Sequence, residues 1–433
     1  MTSPTFSIFT PTHNTEFLHD TFRSILEQTF YDWEWVIIAN GGACVSEDIA
    51  KHQQVRVIHH EPERPAHIGE LKKFACCHCQ GNYLVELDHD DLLTARALEA
   101  AHQAITDTNA DFLYSDSTYF FPNGENNFFH EERGWEHYLE VVDGNENLVI
   151  KAFPVTPSSL ASILYAPDHV RIWKRSFYEK IGGHNSELAV CDDYDLVCRS
   201  YLAGGKFHHI TRCLYRYRLQ NGDSNTHVQR NNEIRTAERA LSTKYTEEII
   251  SEWARREGKQ MIDLGGAHNC PPGFTSVDIQ NADICCDVRL GLPFDDSSVA
   301  CIRACDFLEH IPTCQQANCS HDLSQGPLCV VGVMNEIYRV LAPGGWLISR
   351  TPSTDGRGAF QDPTHVSFWN ENSFWYYTRQ EQASFVRGLR ARFQAKRLEQ
   401  AFPSQWHEEH NILYVYADLV ALKGQREPGI SHI

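Results

Sequence analysis

The chain has 433 residues, a net charge of −19, and 42% hydrophobic and 11% aromatic residues. Such a composition fills cores and excludes global disorder, and the length implies roughly two to three domains of ~150 residues each. The acidity argues against a duplex nucleic acid partner, whose phosphates have to be neutralised by Lys and Arg.

Taken in chain order, Phe6-Ser7-Ile8-Phe9-Thr10 alternates as a strand and Pro11-Thr12-His13-Asn14 breaks it. Apolar residues then recur at helical spacing from Phe17 to Gln28 (Phe17, Leu18, Phe22, Ile25, Leu26). Trp35 to Ala39 is a second strand, stopped by Asn40-Gly41-Gly42, and Val55 to Ile58 is a third. Gly69 to Cys79 reads as a helix carrying Lys72 and Lys73. A turn at Gly81-Asn82 leads into Leu84-Val85-Glu86-Leu87, which runs straight into Asp88-His89-Asp90-Asp91. Carboxylates crowded at a strand end repel one another unless something positive sits among them, and a hard divalent cation with phosphate oxygens is the natural occupant. The bland reading is a solvated acidic turn. This element order implies a mostly parallel sheet, which gathers ligands at the carboxyl ends of its strands, where Thr10, Asn40 and Asp88 all fall.

The segment from Phe6 to about Thr226 resembles a family 2 glycosyltransferase of the GT-A fold. The resemblance rests on Thr10-Pro11-Thr12-His13-Asn14, Glu34-Trp35-Val36-Ile37-Ile38 and Leu87-Asp88-His89-Asp90-Asp91 as the DxD-type motif. It extends to Ile181-Gly182-Gly183, to Cys191-Asp192-Asp193-Tyr194-Asp195-Leu196 through Arg199, and to Leu214-Tyr215-Arg216-Tyr217-Arg218. It implies a nucleotide-sugar donor bound by Thr10, Pro11, Thr12, Asn40, Lys73, Asp88 and Asp90. It further implies Mg²⁺ or Mn²⁺ held among Asp88, Asp90 and Asp91 against the diphosphate. Asp193 is implied as the base that takes the proton from an acceptor hydroxyl in a single inverting displacement; a first-turn acid at a helix start is the structural reading of the same residue. Two positions depart from the family pattern. Asn40 stands where many relatives have Asp, which leaves the nucleotide open, and Gln220-Asn221 replaces a His that some relatives use on the metal. Aromatics between Asn109 and Pro167 (Phe120, Phe121, Phe128, Phe129, Trp135, Tyr138) are places to look for acceptor contacts, with core packing as the plainer expectation for most.

From Gln229 to Lys259 the chain is highly charged with one apolar stripe, predicting a helix pair that joins two domains. Three segments are expected: a GT-A domain over 1–243, a helical linker over 244–259 and a further α/β domain over 260–433. In that last segment Gln260 to Leu264 is a strand entering Gly265-Gly266, and Thr275-Ser276-Val277-Asp278 is a strand ending in an acid. Ile284-Cys285-Cys286-Asp287 and Ala300 to Ala304 follow, then Asp306-Phe307-Leu308-Glu309-His310-Ile311, a helix from Val333 to Leu341, and Pro343-Gly344-Gly345 before Trp346 to Ser349. Asn411 to Leu422 reads as the closing strand.

Residues 260–424 resemble a class I methyltransferase dependent on S-adenosylmethionine. The fold class expected is therefore α/β throughout, as two doubly wound domains, the second Rossmann-like. The family pattern implies Asp278 on the cofactor ribose, Asp287 near the adenine, and Asp263, Gly265 and Gly266 shaping the methionine end. A dinucleotide-binding domain has a similar turn but needs a third glycine absent here. Methylating a sugar hydroxyl needs a base, and His310, Asp362 and His365 are candidates. Cys314, Cys319, His321 and Cys329 could hold zinc, although their spacing is irregular for it.

The expectation is a bifunctional enzyme that adds a sugar to a glycan, lipid-linked or protein-linked acceptor and O-methylates a glycan. The alternatives are a methyltransferase with a non-catalytic glycan-binding first half, or a nucleic-acid-modifying enzyme. No run approaches the ~20 apolar residues of a membrane span and no charged-then-apolar leader is present, so a cytoplasmic protein is expected, with attachment at the membrane surface left open. Its 15 cysteines then read as reduced thiols, mostly small buried hydrophobes.

Overall fold

A computed structural model describes residues 3–61, 66–121, 126–127, 135–161, 167, 169–219, 230–314, 321 and 323–424. The chain divides into two compact units, residues 1–155 with 163–246, and residues 156–162 with 247–433. The charged stretch expected as a helix pair is one 27-residue helix, Asn231–Glu257, and the division falls within it. Residues 156–162, which the sequence assigned to the first domain, group with the second unit.

The first unit is built on strands β1 (Phe6–Thr12), β2 (Trp33–Ala39), β3 (Val55–His59), β4 (Tyr83–Glu86), β5 (Leu92–Leu93), β6 (Phe112–Phe120), β7 (Asn126–Asn127), β8 (Glu136–Val142), β9 (Asn145–Lys151), β10 (Arg171–Lys174) and β11 (Phe207–Arg218). They form one sheet of order β3-β2-β1-β4-β10-β6-β11-β5, in which β3, β2, β1 and β4 are parallel neighbours and β10 runs antiparallel between β4 and β6. β2 is buried along its whole length, as expected of a central parallel strand covered on both faces. The helix Leu18–Leu26 lies on this sheet through Leu18, Phe22 and Ile25, one face at helical spacing. The strand order reverses between β1 and β4, the point in an open α/β sheet at whose carboxyl edge ligands gather.

The second unit carries β12 (Gln260–Leu264), β13 (Thr275–Asp278), β14 (Ile284–Cys285), β15 (Val299–Cys305), β16 (Leu341–Pro352), β17 (Phe393–Ala401) and β18 (Tyr414–Ala421). Their order is β14-β13-β12-β15-β16-β18-β17, with β18 antiparallel to both neighbours and the order reversing between β12 and β15. The strand expected to close the sheet lies inside it, with β17 on the edge; an edge strand with six of its nine residues partly exposed gives a weak apolar signal. The helix Val330–Val340 buries Val330, Val333, Met334, Ile337 and Val340 against this sheet. No helix among the described residues is long and apolar enough to cross a membrane.

Candidate functional site

In the first unit β4 stops at Glu86, so Asp88 to Asp91 form the turn that follows it. The turn is closed by Asp91 N–H on the Asp88 carbonyl (3.4 Å), and Thr21 Oγ1, on the neighbouring helix, approaches the His89 and Asp91 carbonyls at 3.0 and 2.9 Å. Asp88 and Asp90 stay half-buried, while Asp91 is 1% exposed. Asp91 accepts from the Tyr215 hydroxyl (2.8 Å) and from the Arg218 N–H (2.7 Å). Both its oxygens are thus spent on β11, and burial with the charges of Asp90 and Asp88 pushes its pKa well up. Asp91 is therefore a tie between turn and sheet rather than the open metal ligand the motif implied. Burial and Asp88 also raise Asp90, against the pull of His89.

Thr10 is fully buried: its hydroxyl donates to the Leu87 carbonyl (2.7 Å) and accepts from the Trp35 indole (2.9 Å), which locks β1, β2 and the start of the acidic turn together. Thr12 is buried as well, its hydroxyl donating to the Asn14 carbonyl (2.5 Å), and Pro11, half-buried, pairs with Ile38 across the sheet. Asn40 Nδ2 donates to the Thr12 carbonyl at 2.9 Å and reaches the Ile38 carbonyl at 3.4 Å. Two carbonyls on one side require the amide NH₂ there, which turns Asn40 Oδ1, an acceptor, the other way. Lys73 is exposed and makes none of these contacts.

Lys72, one residue away on the helix Ile68–His78, is instead 6% exposed. Its ammonium sits 2.5 Å from Glu86 Oε1 and 3.5 Å from Asp192 Oδ2. Arg171, on β10, lies 3.6 Å from Glu86 Oε2 and 2.8 Å from Asp193 Oδ2. Three carboxylates thus share two cations, with neutral His184 beside Asp192, its pKa lowered to about 3 by burial and Lys72. The mismatch divides the acids. Burial opposes the charge on Glu86, but Lys72 and Arg171 outweigh it and hold Glu86 well below the ordinary carboxylate range. Asp193 is likewise held low by Arg171 and Lys72 against burial, whereas burial outweighs Lys72 at Asp192 and raises it. Asp193 opens the helix Asp192–Leu202, its side chain 19% exposed and accepting from the Tyr194 N–H (2.8 Å). It is an ionised, oriented carboxylate with one face toward solvent. Glu86 and Arg171 escaped the sequence reading, although a Glu inside Leu84-Val85-Glu86-Leu87 is itself a signal that a buried cation waits.

The aromatic segment is mostly core. Phe120 is 7% exposed and stacked under Arg216 and Arg218, and Trp135 packs on Phe153 with ring centroids 4.5 Å apart. The Tyr138 hydroxyl donates to buried Asp116 (2.9 Å). Phe128, Phe129, Gln220 and Asn221 lie outside the described residues.

In the second unit Gly265 ends β12 with φ +78°, its N–H donating to the Val277 carbonyl (2.9 Å). Only glycine takes that conformation without strain, and a side chain there would press on the Phe307 ring at 3.2 Å. At Gly266 a Cβ would lie 2.6 Å from Asp263 Oδ2. Asp263 is buried in an ion pair with Arg303 (3.0 Å) and props this turn from below rather than facing outward. Asp278, half-buried at the end of β13, accepts from the Ile279 N–H (2.6 Å) and is paired with no cation among the described residues. Asp287 caps the short turn Val288–Leu290 and pairs with Arg289 (2.7 Å), so its carboxylate is largely engaged. His310 and His365 come together beyond β15, ring centroids 5.1 Å apart, with Glu309 beside them; Asp362 is exposed and accepts from Thr364. Cys314, His321 and Cys329 bring ligand atoms within 4.8 Å of one another, while Cys319 lies outside the described residues. No described cysteine is in a disulfide.

Residues 7–182 match the family described as "Glycosyl transferase family 2". "Glycosyltransferase GlyG" of Streptococcus pneumoniae is 27% identical over 222 residues, 50% of this chain and 71% of that protein. "O-antigen biosynthesis glycosyltransferase WbnJ" of Escherichia coli is 26% identical over 205 residues, 46% of this chain and 72% of that one. Among solved structures, S. aureus TarS 1–349 in complex with UDP-GlcNAc aligns at 16% identity over 58% of this chain and 72% of that chain, with a TM-score of 0.42. The N-terminal half carries a family 2 glycosyltransferase domain.

Proposed function

We propose that this protein is a bifunctional transferase, moving a sugar from a nucleotide-sugar to a growing glycan and methylating a glycan hydroxyl at a second site. The observation that carries the first half is the Glu86–Arg171–Asp193 chain. It sets an ionised carboxylate beside the strand whose following turn carries Asp88 and Asp90. In this reading Asp193 accepts the proton of the acceptor hydroxyl as that oxygen attacks the anomeric carbon. The bond from that carbon to the diphosphate oxygen breaks with its electron pair leaving on the nucleoside diphosphate, and one displacement inverts the centre. Asp88 and Asp90 suit a hard divalent cation, being half-buried carboxylates crowded on one turn, and would hold it to neutralise the departing diphosphate. Asn40 Oδ1, turned away from its backbone carbonyls, favours a base that offers an imide-type N–H, such as uracil. The O-antigen role in the name of one relative is consistent with a glycan as acceptor.

The methyl-transfer half rests on the second sheet. Its order reverses beside the Gly265 turn, one antiparallel strand lies near the far edge, and Asp278 ends the strand adjoining β12. S-adenosylmethionine fits this cradle, since the glycines keep side chains out of the turn and Asp278, paired with no cation among the described residues, is open to accept from ribose hydroxyls. When bound it supplies an electrophilic methyl group. Glycosyl transfer is tested by nucleotide release across a donor panel with the wild type and Asp193→Asn; no donor bound or turned over by the wild type would refute it. Calorimetry with S-adenosylhomocysteine tests the other half, which fails if there is no binding or if Asp278→Ala binds equally well.

A further inference from the structure

Glu309 sits in the short turn Leu308–His310, just past the carboxyl end of β15. It is 1% exposed, and beyond the backbone N–H groups of Phe307 and of Glu309 itself no partner reaches its carboxylate among the described residues. Its backbone carbonyl accepts the Val366 and Ser367 N–H groups, pinning the turn to the segment that carries His365. No Lys or Arg pairs with Glu309 among the described residues, and the acids Asp306 and Asp362 lie in its neighbourhood. An ionised carboxylate buried without a cation costs several kcal/mol, and burial with these acids accordingly pushes the Glu309 pKa up to about 8; a divalent cation held between this carboxylate and neighbouring imidazoles would restore its charge.

Two imidazoles complete the set. His310 Nδ1 faces the Thr364 carbonyl (3.3 Å) and hydroxyl (3.2 Å), and that hydroxyl itself donates to Asp362 (2.6 Å). His365 Nδ1 faces the Ala359 carbonyl (3.0 Å). A carbonyl can only accept, so both rings carry the proton on Nδ1 and present the Nε2 lone pair. Imidazoles oriented by a backbone carbonyl in this way are what metal sites use to fix tautomer and direction. One ligand atom from each of Glu309, His310 and His365 lies within 4.8 Å of the others, so small side-chain rotations bring all three onto one ion.

We propose that Glu309, His310 and His365 form a divalent metal site of the two-histidine, one-carboxylate type, suited to Mn²⁺, Fe²⁺, Co²⁺ or Zn²⁺ and leaving positions open for a ligand. Resting on the methyl-transfer reading, its role is to bind the acceptor hydroxyl and lower its pKa. The proton then leaves to solvent, the oxygen attacks the sulfonium methyl, and the carbon–sulfur bond breaks with its pair remaining on sulfur. His310 and His365 then act as ligands, in place of the base role expected from sequence.

The test uses the full chain, stripped with chelator and titrated with Co²⁺, followed by metal analysis after dialysis. Wild type should retain an equivalent with the weak visible absorption of nitrogen and oxygen ligation. Glu309→Gln and His365→Gln should each weaken Co²⁺ at that site at least about tenfold, while Asp88→Ala/Asp90→Ala retains it. Intense near-ultraviolet thiolate absorption would instead mark the Cys314, His321, Cys329 cluster. The proposal is overturned if wild type shows no such equivalent, or if both variants, folded by circular dichroism, bind as wild type does. S-adenosylhomocysteine binding is read separately. Metal without cofactor binding keeps the site and removes methyl transfer; cofactor without metal does the reverse.

Discussion

Beside β4 in the first unit, the carboxylates of Glu86, Asp192 and Asp193 meet Lys72 and Arg171, whereas in the second unit Glu309 is as deeply buried and has no cation among the described residues. Both places lie at the carboxyl end of a strand next to the point where the sheet order reverses. The difference is one of purpose. A charge neutralised by the chain's own side chains is fixed at folding and serves to orient a neighbour, here Asp193. A charge left unneutralised is reserved for something that arrives later. Within the acidic turn the division is one of burial: Asp91 is committed to the Tyr215 hydroxyl and the Arg218 N–H while Asp88 and Asp90 remain half-buried.

Four substitutions probe this contrast. Asp193→Asn should lower the turnover of sugar transfer by about 10²–10⁴-fold, the usual share of a positioned base, with donor affinity little changed; steady-state kinetics reads both. Glu86→Gln removes the nearer carboxylate of Lys72, leaving that buried ammonium with Asp192 at 3.5 Å, and should destabilise the protein by about 3–5 kcal/mol at neutral pH, measured by denaturant unfolding. Because the Glu86 pKa is lowered in the folded state, its contribution is complete above the ordinary carboxylate value and disappears as the pH falls through the folded value, so the gap from wild type should shrink in acid. Asp278→Ala should weaken S-adenosylhomocysteine by roughly 1.5–3 kcal/mol, the range for hydrogen bonds to a charged acceptor, as read by calorimetry. Glu309→Gln orphans no cation, so in chelated protein its stability should stay within about 0.5 kcal/mol of wild type or exceed it. A loss there as large as that of Glu86→Gln would mean that Glu309 has a hidden partner and would erase the contrast.

Much of this was legible along the chain. Short apolar runs stopped by Asn40-Gly41 and Gly265-Gly266 mark strand ends, whereas β1 runs on through Pro11, expected to break it, as far as Thr12; the acids placed just after such runs mark ligand edges. Local patterns report local structure, and period and turn chemistry are local. What the patterns did not separate was which acid of a run faces inward. Asp88, Asp90 and Asp91 are equivalent on paper, but a one-residue difference in a turn sends Asp91 onto β11. Lys72 and Lys73 are divided in the same way by the 100° step of a helix.

Hydrophobic period and glycine conformation are properties of neighbours, and they were enough to expect two α/β domains, the strands β1 to β4 and β12 to β16, and the acids that follow several of them; β8, β9, β10 and β17 were not read. The fold chose which groups meet: Arg171 pairs with Asp193, Lys72 pairs with Glu86, and Glu309 comes within 4.8 Å of His365. Each joins residues between 14 and 56 positions apart. Charge in a low-dielectric interior is balanced by whatever the fold brings within a few ångströms, and no local pattern carries that information.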